Sequence, residues 1–277
     1  MIILLCVLVL VFTGIAFIYS SGVNSDGILV TNEYVKQIVW AGIGMVFLAF
    51  FALTDYRKCE RISGWLFVVF LLVLVYTRLF GRYVNGAKSW LGIGDFGVQP
   101  SEFGKIIFIL FLAKYLNGSA NENPLKRLII SAVIFAVPTL LILAQPDLGT
   151  ATVYIPIFFF MCFMAEIPLT YLMFLFGICA STVFFTILPV WNEYIAHNSV
   201  VLITTLSDFK LKMILILAAA AICAISIVVR YYFHGRKYYF WIAYVSAIIF
   251  IGLICSSGAG KVLKDYQIRR LIVFMDP

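Results

Sequence analysis

Charge is what this chain has least of: Asp, Glu, Lys and Arg make up 12% of its 277 residues, about half the share of a soluble domain. The scarcity is also uneven. Ile62–Thr77, Ile129–Pro146, Leu148–Ala165, Ile167–Asn192, Met213–Val229 and Tyr238–Gly260 contain none of the four. Apolar residues reach 64% and mean hydropathy is +1.06, more than a soluble fold has interior to hide. Other absences narrow the function. There is no Gly-Lys-Ser/Thr phosphate loop, zinc motif or nucleophile elbow, so a nucleotide-driven pump or a hydrolase has no support. His197 and His234 stand alone in loops, and the six cysteines show no metal-ligand spacing and read as small buried hydrophobes. No Lys or Arg precedes the first apolar run, Met1–Val23, which therefore reads as a spanning helix rather than a cleaved leader.

What the chain does have is length in its apolar runs. A helix crossing hydrocarbon needs about 20 mostly apolar residues. Segments 2–19, 36–53, 63–80, 102–116, 127–145, 148–165, 168–190, 211–231 and 238–257 are the candidates. A lone helix satisfies its own backbone polar groups, which continuous apolar runs in lipid require. The predicted fold class is all-α: a polytopic transmembrane helical bundle of nine spans, a single membrane domain over residues 1–277. The fourth span is short and carries Lys105.

Basic residues orient it. Arg57, Lys58 and Arg61, then Lys114, Lys126 and Arg127, then Arg230, Arg236 and Lys237 share one side if the N-terminus is cytoplasmic. The extracytoplasmic loops are then 81–101 and 258–277. Against the bias, Arg78, Arg82 and Lys88, and later Lys261, Lys264, Arg269 and Arg270, fall outside, where an anionic ligand would account for them. The net charge of +7 sits in short loops with no contiguous soluble face, which excludes nucleic acid as a partner.

Three clusters on the outer side could carry chemistry. The first runs from Arg82 through Gly86-Ala-Lys-Ser-Trp-Leu91 to Gln99-Pro-Ser-Glu-Phe-Gly-Lys105. Its glycines suit a tightly turned loop hugging the membrane, Trp90 suits the interface, and Pro100 suits a helix start. Ser101 and Glu102 fall in or near the first turn, and Glu102 and Lys105, three apart, share a helix face. They are either a neutralised pair at a helix start or a functional pair at membrane depth. The second cluster is Gln145-Pro-Asp-Leu-Gly-Thr150, where Asp147 either caps a helix or presents a carboxylate to a sugar hydroxyl, a cation or a basic partner. The third is Lys264-Asp-Tyr-Gln-Ile-Arg-Arg270, which would also serve as an ordinary segment attracted to membrane lipid headgroups. Glu166, in a tight turn with Pro168, receives no role.

In this order the clusters resemble the SEDS family of RodA-, FtsW- and SpoVE-type proteins. Gly86–Leu91, Gln99–Lys105, Gln145–Thr150 and Tyr266–Arg270 with Phe274-Met-Asp-Pro277 are similar to its motifs, and Leu148 leans toward the RodA branch. The resemblance implies an inverting peptidoglycan glycosyltransferase of the bacterial cytoplasmic membrane. Such an enzyme polymerises lipid II, an undecaprenyl-pyrophosphate-linked disaccharide-pentapeptide, beside a class B penicillin-binding protein. Glu102, Lys105 and Asp147 would order the catalytic site, and Gln99, Ser101, Lys88, Trp90, Arg269 and Arg270 would contact substrate. Developing pyrophosphate charge calls for Lys and Arg, and the acceptor hydroxyl calls for a carboxylate base. No cofactor is implied with certainty; a divalent cation could assist, but no ligand cage is readable.

The chain departs from the family in three ways. Ser89 stands where a basic residue is usual, and two apolar spans are inserted between Pro189 and Lys264. The aspartate expected to act as base belongs to a loop segment beyond Pro277, so the 277 residues alone are expected not to polymerise. A lipid-linked sugar flippase or transporter, or a non-catalytic scaffold docking a transpeptidase, are the alternatives. Transport favours charges near the membrane midplane, whereas these lie at span ends.

Overall fold

In the computed structural model, residues 2–24, 28–53, 55–84, 86–93, 96–191, 206, 208–232 and 237–262 are described. Their helices are α1 (Ile2–Ser21), α2 (Glu33–Leu53), α3 (Tyr56–Phe80), α4 (Pro100–Gly118), α5 (Pro124–Ala144), α6 (Leu148–Met164), α7 (Leu169–Trp191), α8 (Phe209–Tyr232) and α9 (Lys237–Val262). Each expected span falls on one of them, so the chain is an all-α polytopic protein. Seven are long and apolar enough to cross a membrane. The exceptions are α4, which carries Glu102, Lys105 and Lys114, and α6, which is an apolar helix of 17 residues.

One element lies outside the all-helical expectation. Between α3 and α4 the glycine-rich loop forms a three-stranded sheet, β1 (Arg82–Val84), β2 (Ala87–Ile93) and β3 (Phe96–Val98), in the order β1-β2-β3. Strands β2 and β3 are antiparallel, with Leu91 opposite Val98, Gly92 opposite Gly97 and Ile93 opposite Phe96. Pairing satisfies backbone groups that a membrane-hugging loop would otherwise leave bare.

The chain divides into two compact units. The first comprises Met1–Val84 and Ser89–Lys114. Here α1 packs along α2, and neither helix buries a residue within the protein. The unburied apolar surfaces of α1 and of α2 beyond Trp40 suit lipid. Ser63, Phe67, Phe70, Leu74 and Thr77 form the buried stripe of α3, and Ser101, Phe108 and Leu112 that of α4. Steps of three and four keep each stripe on one helix face. Phe67 stacks on Phe111 at 4.4 Å between ring centroids. Gly104 meets Phe70 so closely that a Cβ there would fall inside the ring. At the far end Lys114 Nζ donates to the Arg61 carbonyl at 3.4 Å, so α3 and α4 run antiparallel.

The second unit comprises Asn85–Lys88 and Tyr115–Pro277. Asn123 caps α5 by accepting from the Leu125 amide at 2.9 Å, with Pro124 at the first helical position. Helix α5 packs on α6, where Phe135 stacks on Phe158 at 4.8 Å. Helix α9 packs on α8 and on α7. Small residues allow that approach: Gly252 lies against Ser181, and Ser181 Oγ donates to the Ile248 carbonyl at 3.3 Å.

Arg127 is where local sequence misleads. In sequence it is one of the loop cations Lys114, Lys126 and Arg127, yet it is 6% exposed. Its Nη2 donates to the Leu116 and Ala165 carbonyls at 3.1 Å each, and Nε donates to Ser119 Oγ at 3.4 Å. Leu116 lies in the last turn of α4 and Ala165 caps α6, so the guanidinium closes two negative helix ends at once.

Candidate functional site

The Gln99–Lys105 motif belongs to the first unit. Pro100 starts α4, a position that needs no amide donor, and the Gln99 carbonyl accepts from the Glu102 amide at 3.1 Å. Ser101 is fully buried on the α3-facing stripe. Glu102, in the first turn, lies 2.8 Å from Lys105 Nζ, with side-chain exposures of 50% and 20% respectively. The pairing expected from their spacing is present. The carboxylate faces outward at the positive end of the helix, while the ammonium is drawn further in.

Gly104 has a packing task that the motif alone does not announce. It lets Phe70 of α3 lie against the α4 backbone, which fixes the helix face on which Glu102 and Lys105 stand.

The Gln145–Thr150 motif belongs to the second unit. Helix α5 ends at Ala144 and α6 starts at Leu148. Asp147 caps α6 with both oxygens: Oδ1 accepts from the Thr150 amide at 3.1 Å and Oδ2 from the Thr150 hydroxyl at 2.9 Å. The capping alternative is therefore what the geometry contains. Gln145 is 0% exposed, and its carbonyl accepts from the Lys88 amide at 3.1 Å. That bond joins Lys88 to the Gln145–Thr150 motif within the second unit, a meeting that no side-chain pattern foretold.

Trp90 and Ser89 fall in the first unit. Ser89 is buried, and Trp90 packs over Gly97, whose Cβ would come within 2.9 Å of the indole. Arg269 and Arg270 lie outside the described residues, as does all of 263–277.

Among the described residues no three His, Cys, Asp or Glu side chains gather to hold a metal. The Glu102 carboxylate is engaged by Lys105 and that of Asp147 by Thr150.

Residues 1–212 match the family FTSW_RODA_SPOVE, described as cell cycle protein. The chain is 45% identical over 275 residues to peptidoglycan glycosyltransferase RodA of Treponema pallidum (strain Nichols), covering 99% of this chain and 63% of that protein. It is 39% identical over 145 residues to stage V sporulation protein E of Bacillus subtilis (strain 168), covering 50% and 39% respectively. A crystal structure of the rod shape determining protein RodA of Thermus thermophilus aligns at 24% identity and a TM-score of 0.49, over 80% of this chain and 85% of that one. The chain thus spans less than two thirds of the length of the first two of these relatives.

Proposed function

Because this chain belongs to the FtsW/RodA/SpoVE family, a family of multi-pass membrane proteins, we propose that it forms the membrane part of a peptidoglycan glycosyltransferase acting in cell-wall synthesis and cell shape. Its substrate on this reading is lipid II, and a class B penicillin-binding protein is the partner. The observation that supports the reading is where the charged motif residues stand. Glu102 and Lys105 occupy the first two turns of α4, and Asp147 the residue before α6. Charges at helix starts suit chemistry at the membrane surface, whereas a transport path would place them in mid-span.

The reaction joins an acceptor sugar hydroxyl to the anomeric carbon of a lipid-linked donor. The new carbon–oxygen bond forms as the bond to pyrophosphate breaks, with inversion, and the hydroxyl proton passes to a carboxylate base. Charge grows on the departing pyrophosphate, so the transition state gains from a cation already in position. Lys105 takes that part. Its ammonium is held at 2.8 Å by Glu102, so it can meet phosphate oxygen without first being ordered. Glu102 keeps Lys105 aimed. Asp147 holds the start of α6, and through Gln145 the adjoining turn holds Lys88. Arg269 and Arg270 add pyrophosphate contacts on the family pattern, and Gln99 and Trp90 contact substrate, whereas Ser101, fully buried against α3, holds the helix start instead.

The test is polymerisation of labelled lipid II by the full-length protein with its partner, read as glycan strands on a gel. Lys105→Ala and Glu102→Gln are expected to lower the rate about 10²-fold or more, the cost of losing one positioned transition-state group. Wild-type rates in both variants would sink the assignment of these residues. Leaflet exchange of lipid II without strand formation would replace the polymerase by a flippase.

A further inference from the structure

The first unit contains a cavity of about 480 Å³, of whose lining only Trp90 has a role in the proposed reaction. It opens where α1 ends, α2 begins and the sheet crosses, the end that the charge pattern assigns to the outside. Four of its walls come from one helix face: Glu33, Lys36, Gln37 and Trp40 of α2. These positions, i, i+3, i+4 and i+7, lie in line along a helix. They include every charged and amide side chain of α2, which from Ala41 to Leu53 is apolar apart from glycine. The opposite wall carries Arg82 of β1 and Trp90 of β2. Gln99, Ser101, Glu102 and Lys105 do not line it.

Each group suggests the same kind of guest. Glycines 92 and 97 face each other across β2 and β3, both line the cavity, and the Trp90 indole rests on Gly97. A side chain at Gly97 would lift that ring. The cavity therefore has one indole based on bare sheet and another, Trp40, on the helix wall. Indoles offer broad apolar faces with a polar edge. Around them stand an amide, a carboxylate paired to an ammonium at 2.9 Å, and a guanidinium. This is donor and acceptor chemistry for a polyhydroxylated ring, with Arg82 placed for an anionic substituent. A Glu33 carboxylate in the wall suits hydroxyl groups better than a bare phosphodiester. The volume lies in the range of small-molecule sites, roughly 300–1,000 Å³.

We infer that this cavity is a saccharide-binding site, separate from the Glu102–Lys105 pair, for a sugar carrying an anionic group. The identity of the sugar, a segment of the peptidoglycan glycan, rests on the function proposed above; the existence of the site does not. Its task would be to hold a glycan segment at the outer membrane surface while the chemistry proceeds elsewhere.

The full-length protein in detergent micelles is titrated with lipid-free peptidoglycan disaccharide-peptide, followed by calorimetry and saturation-transfer NMR. Saturable binding is expected, weakened about tenfold or more by Trp40→Ala, as for loss of a buried aromatic anchor. Gln37→Ala is expected to weaken it severalfold. Arg82→Gln is expected to weaken the disaccharide-peptide, whose stem peptide carries carboxylates, and leave a neutral chito-oligosaccharide unchanged. Trp40→Phe, which keeps an aromatic face, is expected to retain most of the binding and so separates ligand contact from misfolding. Unchanged affinity in both Trp40→Ala and Gln37→Ala would overturn the inference. So would displacement of the sugar by vesicles of phosphatidylglycerol at equal potency in wild type and Trp40→Ala. Strand formation by a protein that binds no free saccharide would remove this site and leave the polymerase standing. Saccharide binding by a protein that forms no strands would do the reverse.

Discussion

Two stretches of this chain begin with Gln-Pro, place a carboxylate at a helix start, and use it differently. In Gln99–Lys105 the carboxylate, Glu102, sits inside the first turn of α4, half exposed, paired with a lysine on its own helix. In Gln145–Thr150 it sits one residue earlier, at the cap of α6, and both oxygens accept from Thr150. Glu102 orders a cationic side chain on its own helix face. Asp147 is committed to holding backbone in place. A shift of a few residues relative to the helix start thus separates a carboxylate that pairs with a side chain from one that caps the helix.

The comparison can be tested from the largest effect down. Gly104→Leu should be the most damaging, because its side chain would occupy the place of the Phe70 ring and push α4 from α3. Inserting a methylene or two into a packed place costs about 1–3 kcal/mol, and a whole isobutyl group where even a Cβ meets the ring exceeds that range. A loss of detergent-stable monodisperse protein is expected on size-exclusion chromatography. Arg127→Met comes next, since it strips two helix-end carbonyls of a charged donor in a buried place. Charged hydrogen bonds contribute roughly 1.5–3 kcal/mol each, so the thermal midpoint should fall by several degrees. Asp147→Ala should lower stability by about 1 kcal/mol, the usual cost of an N-cap, read by the same thermal assay. Glu102→Gln should change it by less than about 0.5 kcal/mol, because exposed ion pairs contribute little. The comparison breaks if Glu102→Gln destabilises as much as Asp147→Ala, or if Asp147→Ala leaves the thermal midpoint unchanged.

Much of this was legible beforehand. Charge-free runs announced the helices, Pro100 announced the start of α4, and the three-residue step from Glu102 to Lys105 announced their pairing. The sheet over residues 82–98 was not legible. Its outer strands are three residues long, and glycines interrupt any alternation, so nothing set it apart from a turned loop. Arg127 was not legible either. Beside Lys126 it has the sequence of a solvated basic loop, and only the convergence of the ends of α4 and α6 gives it two carbonyls to close. The polar face of α2 was readable in principle, since Glu33, Lys36, Gln37 and Trp40 follow helical spacing, but spacing alone does not show that a cavity faces them.

The chain's membrane character, its helices and the positions of its motifs along them followed from the sequence by itself. Apolar length and helix-start chemistry are local properties, set within some 20 residues by backbone hydrogen bonding in lipid. Tertiary structure alone decided what those motifs touch. The Lys88 amide on the Gln145 carbonyl, Gly104 under Phe70, and a cavity between α2 and the sheet all join residues distant in sequence. Such contacts depend on backbone groups and on empty space, neither of which has a residue identity to be read.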